Sequence, residues 1–230
     1  MEKPSIAFFL AQHINILGGL WNLHDSTPFI KICGITNTDD GMAALEMGAA
    51  ILGVVLSDIS PRIGTMDLVQ KLKDTGAVVA TVHTDMNSAI LNNGEQDYVQ
   101  LHFDHTCQDI TSFKKLTGKR VISVLKSRDI RAAIRTGIER IKCGADLVLI
   151  DTGVPVVDLI KGDNSMEFNH KIGLAGKISP ENARAVMDVR PGFLDVSSSI
   201  ESYPGKKDLA LMKKLMEVVS SERRRLYQNS

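Results

Sequence analysis

From residue 29 onward, apolar and polar positions alternate between two regimes. Short runs rich in β-branched residues predict strands: FIKIC (29–33), ILGVVL (51–56), AVVATVH (77–83), DYVQLH (97–102), RVISVLK (120–126), DLVLID (146–151), KIGLAG (171–176) and GFLDVS (192–197). Between and after them, apolar residues three and four apart predict helices over 38–47, 66–74, 87–93, 107–117, 128–142, 180–189 and 207–222. The connection 152–170 fits worst, because it holds glycines and a proline and only VVDLIKG has a helical pattern. Thr38-Asp39-Asp40 and Ser179-Pro180-Glu181-Asn182 carry helix-start signals, and Gly48, Gly76 and Gly144 stand where helices should stop. Strands this continuously apolar need cover on both faces, as in a parallel sheet under helices. Eight units whose strands start 20 to 26 residues apart predict an α/β fold of the (β/α)8 TIM-barrel type rather than an open doubly wound sheet.

Residues 1–28 stand outside this repeat. They predict an extra N-terminal helical segment, with the barrel spanning 29–230. The apolar stretch 6–23 follows Lys3 in the manner of a signal peptide, yet Gln12, His13 and Asn15 interrupt it and no small-residue cleavage site follows. It is also too interrupted to span a membrane. Phe8, Phe9, Ile16, Leu17, Leu20 and Trp21 give it an apolar face, expected to lie on the barrel or on a second copy in a homodimer.

Composition narrows the partners. Of the 230 residues 43% are hydrophobic and 23% charged, and 27 Lys and Arg balance 27 Asp and Glu. A net charge of zero supplies no field for nucleic acid or an anionic membrane, so the expected partner is a small molecule, with any phosphate held by a local site. The three cysteines, Cys33, Cys107 and Cys143, form no CxxC pair and no disulfide framework, which points to a reducing, cytoplasmic location and to no zinc site.

Barrel sites lie at the carboxyl ends of the strands. The residues there are Cys33, the loop Ser57 to Arg62, His83, His102, Lys126, Asp151, Gly176-Lys177 and the run Asp195 to Ser199. Cys33 reads either as a small buried hydrophobe or as a nucleophile or base. Asp151 ends an apolar strand, where an ionised carboxylate is costly unless paired or put to use. Arg62 is either solvated or a planar fork for a carboxylate. His83 reads as a satisfied core histidine, whereas His102 is open between core and site. Gly176 with Ser197, Ser198 and Ser199 forms either a phosphate cradle or a plain turn.

Together these residues resemble the phosphoribosylanthranilate isomerase family of (β/α)8 barrels. The similarity covers nearly all of 28–222 and rests on KICGIT (31–36), VQLH (99–102), the strand ending in Asp151-Thr152, SPENA (179–183) and DVSSSIES-PGKKD (195–208, interrupted by Tyr203). The resemblance implies an Amadori rearrangement of N-(5′-phosphoribosyl)anthranilate in tryptophan biosynthesis, with no metal or organic cofactor. It implies Asp151 as general acid and Cys33 as general base. Arg62 would bind the anthranilate carboxylate, His102 and Asp195 the substrate, and Gly176, Lys177, Ser197 and Ser198 the phosphate.

Three departures all touch the phosphate. The glycine-rich stretch that the family carries after strand 6 is absent from 153–171, the paired glycines after strand 7 are Gly176-Lys177, and the glycine after two serines is Ser199. Two alternatives therefore stay open: a diverged barrel acting on a related glycosylamine or sugar phosphate, and a non-catalytic binding or interaction protein.

Overall fold

The structure is a computed structural model that describes residues 28–162 and 165–228. The expectations for residues 1–27, a helical segment and a homodimer contact, fall outside the described residues. Eight units follow in order: β1 (Phe29–Cys33), α1 (Thr38–Glu46), β2 (Ile51–Val55), α2 (Met66–Asp74), β3 (Val79–His83), α3 (Met86–Leu91), β4 (Tyr98–Leu101), α4 (Cys107–Thr117), β5 (Arg120–Lys126), α5 (Ile130–Lys142), β6 (Leu147–Asp151), α6 (Val156–Ile160), β7 (Ile172–Ala175), α7 (Ala183–Asp188), β8 (Phe193–Val196) and α8 (Leu209–Gln228). Every strand is parallel to its neighbours, and β8 pairs with β1 to close the barrel.

The continuous apolar runs are resolved by alternation into two cores. Residues facing out, among them Ile30, Ile32, Val99, Val148 and Ile172, pack with the helices in a large outer core. Residues facing in, such as Ile51, Ala80, Ile122, Leu149 and Phe193, fill the barrel itself. Phe29 stacks on Phe193 with ring centroids 5.0 Å apart, next to the strand starts. The lower barrel is thus plugged with side chains, and open space is left toward the carboxyl ends of the strands.

Helix ends follow local chemistry. Thr38-Asp39-Asp40 opens α1 as expected, with Asn37 capping it by accepting from the Asp40 N–H, and Thr106 with Asp109 forms a capping box on α4. Gly48, Gly76 and Gly144 all take positive φ, as their stop positions require. The expected start of the seventh helix at residue 180 is corrected. Ser179 donates its N–H to Asn182 Oδ1, so 180–182 close a turn and α7 begins only at Ala183. The last helix begins at Leu209, not 207, because a short hairpin of β9 (Glu201–Tyr203) and β10 (Lys206–Lys207) occupies the preceding residues.

The cysteine expectation is also corrected. Cys107, opening α4, and Cys143, capping the end of α5, form a disulfide, and Cys33 alone is a free thiol. Sequence spacing did not reveal it, because the two residues are 36 apart and meet only once α4 and α5 lie side by side. Closing a loop of that length is worth about 3–4 kcal/mol in the chain-entropy account. Reduction, or Cys143→Ala, is expected to lower the thermal midpoint by several degrees. A scan with and without reductant checks it.

Candidate active site

One cavity of about 480 Å³ opens at the carboxyl end of the barrel. It gathers every residue that the family resemblance assigns to the site: Cys33 from β1, His102 after β4, Asp151 from β6 and Asp195 from β8, with Arg62, Gly176, Lys177, Ser197 and Ser198 from the loops. His83 is not among them. Its Nδ1 meets Ser88 Oγ at 2.9 Å, and burial pushes its proton affinity down to a pKa of about 4, so it is a neutral core histidine. Lys126 is exposed and lies outside the cavity lining.

The floor is ionic. Lys31, fully buried, donates from Nζ to Asp195 Oδ1 at 2.8 Å, and the barrel register places these two residues opposite one another. Lys31 and Cys33 share the inner face of β1 two residues apart. Both surround Gly53, the register partner of Cys33: a Cβ there would lie 2.8 Å from Cys33 Sγ and 3.1 Å from Lys31 Nζ. Burial pushes the Cys33 thiol up, while the ammonium groups of Lys31 and Lys207 pull it down and the Asp195 carboxylate adds to the rise. Lys31 loses affinity for its proton through burial but regains more from Asp195 and Cys33, so it stays charged. Gly53→Ala is expected to displace the thiol and lower kcat about tenfold or more while leaving the fold intact, since sub-ångström misplacement of a reacting group is that costly. Steady-state kinetics beside circular dichroism checks it.

Opposite the thiol, Asp151 Oδ2 lies 3.5 Å from His102 Nε2, and Asp151 Oδ1 accepts the Gly153 N–H at 3.0 Å. Burial lowers the proton affinity of His102, only partly offset by Asp151, so the imidazole is neutral. Its Nδ1 sits 3.3 Å from Gln100 Nε2, while Gln100 Oε1 is buried beside the cavity with no partner among the described residues. That oxygen is an acceptor in want of a donor.

At the mouth, Arg62 is gripped by Glu201. Its Nε lies 2.9 and 3.0 Å from the two carboxylate oxygens, and its Nη2 is 2.8 Å from Oε2. Gly176, at φ +140, also has a packing reason to lack a side chain. A Cβ there would lie 2.0 Å from Thr152 Oγ1 and 2.5 Å from the Val154 carbonyl oxygen. The loop after β6 packs against this bare backbone, and Val156 N–H bonds Gly176 O at 2.9 Å. Lys177 follows with φ +51 and an exposed side chain on the cavity rim. Ser199 hydrogen-bonds across to the Ile178 carbonyl, tying the β7 and β8 loops together.

Sequence reasoning missed Lys31, Gln100, Glu201 and Lys207. Lys31 had a signal, a lone charge two residues before Cys33 in an apolar strand, and Gln100 shares the inward alternation of His102. Glu201 and Lys207 sit on a hairpin that no periodicity announced. Among the described residues there is no cluster of His, Cys, Asp and Glu fit to hold a metal, and no helix long and apolar enough to cross a membrane.

A closed (β/α)8 barrel with a thiol and a carboxyl group facing one cavity defines a barrel enzyme equipped for proton transfer. Comparison with known proteins makes this specific. Residues 30–218 match the family model described as N-(5′-phosphoribosyl)anthranilate (PRA) isomerase. The chain is 36% identical to the N-(5′-phosphoribosyl)anthranilate isomerase of Thermoplasma volcanium over 179 residues, covering 77% of this chain and 89% of that one. It is 32% identical to that of Geotalea uraniireducens, covering 82% and 96%. Among solved structures, the Pyrococcus furiosus isomerase superposes with a TM-score of 0.67 at 26% identity, covering 84% of this chain and 99% of that one. The Thermotoga maritima isomerase gives 0.70 at 24% identity, covering 85% and 100%. The chain belongs to the N-(5′-phosphoribosyl)anthranilate isomerase family.

Proposed function

We propose that this chain catalyses the Amadori rearrangement of N-(5′-phosphoribosyl)anthranilate to 1-(2-carboxyphenylamino)-1-deoxyribulose 5-phosphate, a step of tryptophan biosynthesis. The observation that carries this reading is the meeting of Cys33, Asp151 and Arg62 on one cavity in a chain of this family.

Asp151, as general acid, gives a proton to the ribose ring oxygen while the C1–O bond breaks and the anthranilate nitrogen lone pair forms the C1=N iminium. Cys33, as general base, takes the proton from C2. Those C–H electrons form the C1=C2 bond and return the pair to nitrogen, giving an enolamine that tautomerises to the ketone. A thiol pushed up by burial is a poor base at neutral pH until the iminium forms, and the new cation then favours loss of the thiol proton to water in the open cavity, which leaves the thiolate beside it. The intermediate thus helps to create the base that consumes it.

Arg62 receives the anthranilate carboxylate. His102 and Asp195 hold the ribose hydroxyls, and Gln100 Oε1 accepts from one of them. Lys177, with Ser197, Ser198 and the Gly176 backbone, holds the phosphate. The lysine charge replaces amide donors of the missing glycine-rich stretch. Lys177→Ala is expected to raise KM about tenfold or more with kcat little changed, and Arg62→Lys to do the same through loss of the planar fork. Steady-state kinetics over a range of substrate concentrations checks both.

The test of the whole reading is loss of anthranilate-type fluorescence when purified protein meets freshly generated phosphoribosylanthranilate. Turnover in the native chain with none in Cys33→Ala or Asp151→Ala supports it. No turnover in a folded native chain overturns it in favour of a related glycosylamine or a retired barrel. A cytoplasmic site of action belongs to this reading, although the Cys107–Cys143 bond removes the compositional argument for it. A homodimer through residues 1–28 also belongs to it, and sedimentation of the full chain against one lacking 1–27 decides that point.

A further inference from the structure

Lys207 lines no part of the cavity and is fully buried, yet its side chain reaches three pieces of the site. Its Nζ donates to the Cys33 carbonyl oxygen at 2.6 Å, to Glu201 Oε1 at 2.8 Å and to the Ser197 carbonyl oxygen at 3.4 Å. An ammonium has three hydrogens, so these acceptors use its full capacity. The first is the residue placed as base, and the third begins the loop placed at the phosphate. The second, Glu201, grips Arg62 along its Nε and Nη2 edge, so the end-on edge, Nη1 with the second Nη2 hydrogen, is left for a ligand. We propose that Lys207 is a positioning residue that holds the thiol, the phosphate loop and the carboxylate-binding arginine in one register. This inference rests on the roles given to Cys33 and Arg62 above.

The lysine is itself held in place. Its backbone N–H donates to Asp40 Oδ2 at 2.9 Å, and Lys206 pairs with the same carboxylate. Asn37 Nδ2 donates to Asp40 at 2.9 Å, and Thr36 Oγ1 to the Gly205 carbonyl at 2.5 Å. The β9–β10 hairpin is thereby latched to the loop after β1, the strand that carries Cys33. A hairpin latched in this way gives the ammonium a fixed origin from which to set three loops.

Charge makes the arrangement more than scaffolding. The groups around Cys33 are Lys31 on β1, Asp195 on β8, Lys207 and Glu201 on the hairpin and Arg62 after β2, with Asp151 and the neutral His102 across the cavity. On the near side three cations meet two carboxylates, which leaves one positive charge in excess beside the thiol that is to ionise. Removing Lys207 takes away a positive charge bonded to the backbone of the residue that ionises, and removing the Glu201 charge does the opposite.

That sign difference is the test. With the disulfide intact Cys33 is the one free thiol, so its ionisation is read by the pH dependence of iodoacetamide alkylation, with no assumption about catalysis. Lys207→Met is expected to shift this profile alkaline, slowing alkylation about tenfold at neutral pH, and to raise KM for phosphoribosylanthranilate as Arg62 loses its anchor. Lys207→Arg restores the profile toward that of the native chain. Glu201→Gln is expected to shift it acid while also raising KM. General loosening of the fold does not produce opposite shifts. Profiles of folded Lys207→Met and Glu201→Gln that superimpose on the native one overturn the proposal, and if Lys207→Met does not fold, the Glu201→Gln profile decides alone. Opposite shifts in a chain without isomerase turnover uphold the positioning role and overturn the proposed function instead.

Discussion

Replacing Cys33 by alanine is expected to remove isomerase turnover by about 10³-fold or more, and Asp151→Asn to do the same. In the proposed mechanism each substitution deletes one proton transfer, and no neighbouring group takes over. Lys31 is held as a cation by Asp195 and cannot accept the C2 proton, and His102 faces Asp151, not the thiol. The pH dependence separates the two roles. Burial raises the thiol, so the limb of kcat/KM that belongs to Cys33 climbs as pH rises through the thiol range. Cys33→Ser replaces the thiol with a group of far higher pKa, so its residual activity should keep rising with pH where the native profile levels off. Asp151→Asn leaves that rising limb in place at a lower rate and removes the acid requirement. Profiles measured on all three chains, with folding checked by circular dichroism, decide the assignment. An unshifted profile for Cys33→Ser would remove the thiol from the mechanism.

The largest stability effect is expected at the Lys31–Asp195 pair. Lys31 is 0% exposed and Asp195 8%, so the ammonium depends on Asp195 and not on water, and the carboxylate meets water only across the cavity. Taking away one partner of a buried pair costs about 3–5 kcal/mol, because the remaining charge is left without its counter-ion. Lys31→Met and Asp195→Leu should therefore each lower the urea midpoint sharply. The double variant should recover part of the loss, since a well-packed apolar pair carries no desolvation cost. A double-mutant cycle reads this as a coupling of about 1 kcal/mol or more, and simple additivity of the two losses would show the pair to be energetically independent. The double variant should still be inactive, because Asp195 lines the cavity and Lys31 sits beside the thiol. Stability and turnover then come apart, which shows that the pair is kept for the site and not for the fold.

Much of the barrel was legible because its signals are local. β1, β5, α2 and α4 begin and end where hydrophobic period, β-branching and capping residues put them. The seventh helix began late because Ser179 and Asn182 chose a turn that a start signal alone does not distinguish from a helix. The hairpin 201–207 was hidden because its strands are two and three residues long, too short to show a period. The disulfide was hidden because only the packing of α4 on α5 brings Cys107 to Cys143.

The site divides in the same way. Cys33, Asp151 and Asp195 could be found from the sequence because a barrel puts the last inward-facing residues of its strands around one opening, and strand ends are marked in the chain. What each side chain meets is a different kind of fact. That Lys31 neutralises Asp195, that Glu201 occupies two nitrogens of Arg62, and that Lys207 bonds the carbonyl of Cys33 from 174 residues away all depend on register and closure. Gly176 drew notice in the sequence as an opening for phosphate, and only the packed loops show that its bare Cα also seats Thr152 and Val154. Hydrophobic period and turn chemistry act over a few residues, so the sequence by itself determined the eight units, their order and the residues at their mouths. Electrostatic pairing acts through space, so only the tertiary structure decided which charges are free to do chemistry and which are held.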